Sequence, residues 1–261
     1  MARSVWMAAT VAALTLTASS VLAQVAPDTK DKLKCETGTN NILGKFVGSK
    51  AKCVAKCIAT ARKTSGPYAG CQPPAFLDPA TQTCINGQKG VTPKAAAAIT
   101  KACMAACPQC YNSTGNCPSG GALEIATEGL VDTFGSLIYC SELGASPTTP
   151  PSAQAKCEDT VAKNLTKFVA SKGKCFQKCV TNEFKTKIPA GSCTAGSPSD
   201  MATATCVMKA ASKAAATIDK TCSGKTANPP CYVGFMATGT GWTSQVEGAV
   251  DSQLPAQFCG A

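Results

Sequence analysis

Residues 45–57 read KFVGSKAKCVAKC, and residues 167–179 read KFVASKGKCFQKC. The two stretches lie 122 residues apart, and the same offset brings Cys35 onto Cys157, Cys71 onto Cys193 and Cys84 onto Cys206. After a three-residue indel the offset becomes 119. Cys103 then meets Cys222, Glu128 meets Glu247, Asp132 meets Asp251, and Cys140 meets Cys259. Agreement over this span marks an internal duplication. The first copy covers residues 28–143 and the second residues 154–261. Residues 144–153 between them have the Pro/Ser/Thr composition of a linker. With ten cysteines in the first copy and eight in the second, each can close its own bridges. Two separately folded units of roughly 110 residues are expected, an ordinary domain size.

Each quoted stretch is an amphipathic helix. At 100° per residue, Ile42, Leu43, Phe46, Val47, Val54 and Ile58 share one face, and Cys53 and Cys57 sit within it. Val161, Leu165, Phe168, Val169, Phe176 and Val180 repeat the pattern with Cys175 and Cys179. A second helix of copy two runs from an N-cap at Ser199 through Ala-rich sequence to Cys222, with Gly224 as its stop. Copy one divides this element, Asp78-Pro79 opening a short helix that ends at Asn86-Gly87 and Thr92-Pro93 opening another that stops before Pro108. A further helix spans Leu123 to Ile138, and its counterpart, Trp242 to Phe258, is interrupted by Pro255. The fold class is therefore all-α, with two tandem disulfide-stapled helical-hairpin modules of three to four helices each.

The first 23 residues have the order of a secretory leader: Arg3, an apolar run from Val5, and a small-x-small site at Val21-Leu22-Ala23. A secreted or periplasmic location follows, without a transmembrane segment. All 18 cysteines lie beyond the leader, so disulfides are expected rather than thiols. The spacing from Cys157 to Cys175 nearly equals that from Cys206 to Cys222, as two rungs between antiparallel helices require. The expected bridges are Cys157–Cys222, Cys175–Cys206, Cys179–Cys193 and Cys231–Cys259. By the repeat, Cys35–Cys103, Cys53–Cys84 and Cys57–Cys71 follow in copy one. Pairing among Cys107, Cys110, Cys117 and Cys140 stays open.

The chain contains no histidine, which removes His-based triads, the usual zinc ligand sets and CxxCH haem attachment. No catalytic, metal or cofactor residues are assigned. Glu128/Asp132 and Glu247/Asp251, spaced i and i+4, share a helix face, and surface solvation is their simplest account. Three cysteine spacings resemble known motifs. Cys103-x3-Cys107-x2-Cys110 has the cluster spacing of radical SAM enzymes, but the exported modules are far too small for that barrel. Cys107-Pro108-Gln109-Cys110 resembles the CPxC site of thioredoxin-like oxidoreductases, yet it stands at the end of a helix, where the dipole does not favour a thiolate. Cys53/Cys57 with Cys103/Cys107 is similar to the twin CX3C hairpin of small intermembrane-space proteins, a likeness confined to those four residues. Asn112-Ser113-Thr114 and Asn164-Leu165-Thr166 match the glycosylation acceptor pattern.

The net charge is +10 for the whole chain, and after the leader Arg62 is the sole arginine. Lysine is a poor bidentate reader of phosphate, so nucleic acid is not an expected partner. Lys45, Lys52, Lys56 and Lys63 line one side of the first helix, and Lys167, Lys174, Lys178 and Lys185 repeat them. They form either a solvated face or a docking stripe for an anionic polysaccharide or envelope surface. The expected function is that of an exported, non-enzymatic structural or binding protein. The alternative is a carrier holding an apolar ligand between stapled helices. Such secreted helical lipid carriers have adjacent CC and CxC pairs, which this chain lacks. A third reading is thiol–disulfide exchange through the CPQC segment.

Overall fold

A computed structural model describes residues 27–113, 117, 121–224 and 227–259; the leader expected over residues 1–23 lies outside them. Every regular element among the described residues is helical. α1 (Lys30–Thr64) starts at Thr29, whose side chain accepts from the amide of Lys32, and ends at Ser65 in the left-handed region. α2 (Pro79–Asn86), α3 (Val91–Cys103) and the short α4 (Gln109–Ser113) follow. α5 (Gly121–Ile138) and α6 (Cys140–Leu143) close the first half. The second half comprises α7 (Ser152–Phe184), α8 (Met201–Cys222), α9 (Gly239–Asp251) and α10 (Leu254–Gln257). The cap of α8 is Asp200 rather than Ser199, because a carboxylate accepts both the amide and the hydroxyl of Thr203. Asp78 does the same for Thr81 at the start of α2.

α1 packs against α3 on one side and α7 on the other, while α7 packs against α8, and α9 lies on α7 and α8. The apolar face read from the sequence is the buried one: Leu43, Phe46, Val47, Val54 and Ile58 in α1, and Val161, Leu165, Phe168, Phe176 and Val180 in α7. Ile42 and Val169 are half-buried. One core cluster runs through both halves, from Cys53 to Phe258.

All 18 cysteines are bridged. Cys35–Cys103 and Cys53–Cys84 tie α1 to α3 and α2, and Cys157–Cys222 and Cys175–Cys206 tie α7 to α8. Cys57–Cys71 and Cys179–Cys193 close the loops that follow the long helices. These six pairs are those expected from the rung spacing of the second copy, its leftover Cys179 and Cys193, and the repeat. The seventh expected pair, Cys231–Cys259, does not form. Cys259 bridges Cys110 and Cys231 bridges Cys140, so both bonds cross between the halves, and Cys107–Cys117 is the local bridge.

The reason is a reciprocal exchange. Pro108-Gln109-Cys110-Tyr111 matches Pro229-Pro230-Cys231-Tyr232 at an offset of 121, a correspondence hidden behind the extra cysteines of the first copy. The hydroxyl of Tyr111 donates to the carbonyl of Gln257, and the hydroxyl of Tyr232 donates to the carbonyl of Ile138, each at 2.7 Å. Each Pro-x-Cys-Tyr segment thus docks on the last helices of the opposite half, and its sulfur meets the cysteine there. The halves therefore do not each close their own bridges. Residues 144–151 connect α6 to α7, and 145–149 are exposed.

A specific protease site inserted between Ser146 and Pro147 should cut the chain without releasing either half. On a non-reducing gel the cut protein is expected as one band, and as two after reduction. Separation without reductant would show that the crossing bridges are absent.

Candidate functional site

The two long helices approach closely because small residues meet at their crossing. A Cβ on Gly44 would stand 3.7 Å from Ala170, and one on Gly173 would collide with the side-chain amide of Asn40. The Asn40 amide donates to Gln177 across this contact, at 3.2 Å. Beside the crossing, α1, α5, α7 and α9 leave a cavity of about 100 Å³. Leu43, Val47, Phe134, Leu165, Val169 and Val250 supply much of its wall. Leu43 and Leu165 are repeat partners, as are Val47 and Val169, so each half contributes matching surface. Phe134, Val169 and the lining residue Leu130 are half-buried and form the part of the wall nearest solvent. Few polar groups reach the site. Tyr139 lines it, and its buried hydroxyl has no hydrogen-bond partner among the described residues.

Two buried lysines stand behind this wall. Lys50 in α1 is fully buried; its Nζ lies 2.5 Å from Glu128 Oε1 and 2.7 Å from Asp132 Oδ1, both on α5. Lys172 in α7 makes the same pair of contacts with Glu247, at 2.9 Å, and Asp251, at 2.7 Å, on α9. The acidic pairs are therefore not simply solvated, as the sequence suggested; each grips a lysine that has left water. Burial pushes the Asp132 carboxyl above the usual range against the pull of Lys50. The signal was legible: on the helical wheel Lys50 falls inside the apolar face, away from the lysine stripe, and so does Lys172.

A second pair of repeat-related acids behaves asymmetrically. Glu158 is fully buried and meets the guanidinium of Arg62 at 2.8 Å; Glu142 takes Nε of the same arginine at 2.5 Å, and Asp159 takes Nη1 at 3.1 Å. Arg62, the sole arginine among the described residues, thus ties α1 to α6 and α7, through the forked donor geometry that lysine lacks. Burial, then the neighbouring Glu142, pushes the Glu158 carboxyl up to about 8. Glu36 occupies the equivalent place in the first half, and the counterpart of Arg62 is Phe184. Glu36 is fully buried and neither of its oxygens has a hydrogen-bond partner in good geometry. Burial pushes its carboxyl up to about 8, with the Cys259 amide and Lys32 pulling the other way.

The residues singled out from the sequence fall as follows. Lys45, Lys52, Lys56, Lys63, Lys167, Lys174, Lys178 and Lys185 are all exposed, and none forms an ion pair among the described residues. The CPQC segment holds no disulfide of its own, since Cys107 bridges Cys117 and Cys110 bridges Cys259. Two groups of metal-ligating side chains converge, Cys35 with Cys103 and Cys117, and Cys140 with Glu158 and Cys231. Every sulfur in both is locked in a disulfide and offers no thiolate. No helix among the described residues is long and apolar enough to cross a membrane. Comparison with protein-family models, curated proteins and solved structures finds no match.

Burial of acids such as Glu36 is expected to make stability fall with rising pH. Glu36 has a folded pKa of about 8 against an ordinary 4.5. Its protonated form is the one the fold accommodates, so its contribution is complete below the ordinary value and is lost as pH rises through about 8. Thermal melts across that window should show a falling Tm, and Glu36→Gln should flatten the slope. An unchanged slope in the variant would mean that Glu36 is not desolvated.

Proposed function

We propose that this chain is an exported, non-enzymatic binding protein that holds a small apolar ligand between its two disulfide-braced halves. The observation that carries this is the cavity beside the α1–α7 crossing, walled by Leu, Val and Phe side chains from both halves. Apolar cavities of this order stay dry and take up small apolar guests. At about 100 Å³ it falls short of the several hundred typical of drug-sized ligands. The guest is therefore a single small ring or a short alkyl segment rather than a whole lipid. Nine disulfides support the site in two ways. They suit an oxidising compartment, and they hold helices apart around a void that a softer core would collapse into.

A second reading keeps the lysine stripes. Eight exposed lysines that form no ion pair among the described residues, four along each half's long helix and its end, present charge that can rest on an anionic polysaccharide or envelope surface. Attraction of that kind depends on ionic strength and is separable from the cavity.

Toluene and xenon serve as probes of the cavity. Either should raise Tm and shift the NMR signals of Leu165 and Phe134, and Leu130→Trp, which fills the space, should abolish both effects. No response to either probe, or an unchanged response in the filled variant, would refute binding there. For the stripes, the wild type should stay on heparin above physiological salt, and Lys45→Glu/Lys52→Glu/Lys167→Glu/Lys174→Glu should elute early. Early elution of the wild type would remove that reading.

A further inference from the structure

The buried lysines of α1 and α7 sit in a setting that ordinary surface ion pairs do not share. Lys50 and Lys172 have side-chain exposures of 0% and 1%, so the ammonium groups have surrendered nearly all hydration. In both halves the glutamate accepts a hydrogen bond from Nζ, at 2.5 Å for Glu128 and 2.9 Å for Glu247. In both halves the aspartate behaves differently. Oδ1 of Asp132 and Oδ1 of Asp251 each lie 2.7 Å from Nζ, yet neither is in hydrogen-bonding geometry. In each case the lysine nitrogen stands in direct contact with the carboxyl group. The ring of Phe76 covers Lys50, 5.4 Å from Nζ, and closes that side to water.

We propose that Lys50 with Asp132, and Lys172 with Asp251, condense into side-chain amide crosslinks, with Glu128 and Glu247 moving the protons. Proton transfer from the ammonium through the glutamate to the aspartate supplies both neutral partners. The Nζ lone pair then attacks Cγ of the aspartic acid, forming the C–N bond. The glutamate takes one proton from nitrogen and returns it to the departing hydroxyl, so that the C–O bond breaks and water leaves. The sum is ammonium plus carboxylate giving one amide and one water; no oxidant, reductant or activated group is needed. Holding the two groups in contact supplies the effective concentration that the same condensation lacks in solution. The products would tie α1 to α5 and α7 to α9, neither of which is joined by a disulfide.

The test is the intact mass of the full secreted protein, reduced and denatured. The wild type is expected to be lighter than its sequence by two waters, and fragmentation should recover one peptide pair joined through Lys50 and Asp132 and another through Lys172 and Asp251. Asp132→Ala and Glu128→Gln should each restore one water while leaving the second link intact. Lys50→Met/Lys172→Met should restore both. A wild type at full mass overturns the proposal, and needs no variant to fold. A water loss that survives in the double lysine variant overturns it as well, because the loss then arises elsewhere.

Discussion

The rest of the structure depends on the crossing of α1 and α7. Two helices of 35 and 33 residues have only a narrow apolar stripe each, and the chain has few aromatic residues to widen it. Neither helix can bury that stripe alone. Gly44, Ala170 and Gly173 let the two backbones come close, and the stripes then face one another to form a core cluster that runs through both halves. A core shared in this way makes each half the missing surface of the other. The cavity follows from the same crossing, since side chains rising from both helices diverge beside the point of contact.

What holds the crossing is reciprocal rather than local. Cys110–Cys259 and Cys140–Cys231 span 149 and 91 residues of chain, far longer loops than the 14 closed by Cys57–Cys71 or Cys179–Cys193. In the chain-entropy view the long loops restrict the unfolded ensemble more. The tyrosine beside each crossing cysteine adds a hydrogen bond to the opposite half, so position and orientation are set together. Arg62 reinforces the joint with three carboxylates. Glu36, its mirror-related acid, has no such cation, and the joint is electrostatically uneven as a result. Phe184 stands where the first half has Arg62, so Glu36 lacks the guanidinium that Glu158 has, although burial pushes both carboxyls up.

Much of the fold was legible in sequence because helical periodicity and cysteine spacing are local properties. The buried face of α1, the start of α2 at Asp78-Pro79, the break at Pro255 and the rungs of both hairpins all follow from residues within a few turns of one another. The crossing bridges do not. Cys231 and Cys259 were the two cysteines of the second copy left without a partner, whereas the choice between them and their distant alternatives is made by packing between halves. The cavity was equally hidden, since a helical wheel shows which side chains are apolar but not how completely they fill the space they enclose. The lysine clamps lie between these cases. Lys50 and Lys172 were visible as charges in an apolar face, and Glu128/Asp132 and Glu247/Asp251 as recurring acids on one face, but linking them needed the docking of α5 on α1 and of α9 on α7.

The clamps also explain why the wall of the cavity can be thin. Leu130, Val131 and Phe134 hang from α5 over the void, where packing alone gives them few neighbours and leaves them half-buried. Glu128 and Asp132 flank them on the same helix and anchor α5 to α1 through Lys50; Glu247 and Asp251 do the same for Val250 on α9. A buried ion pair contributes little net stability compared with apolar packing of the same volume, but it is specific about geometry. Here that specificity falls on α5 and α9, the two helices that carry Leu130, Phe134 and Val250 to the wall of the cavity.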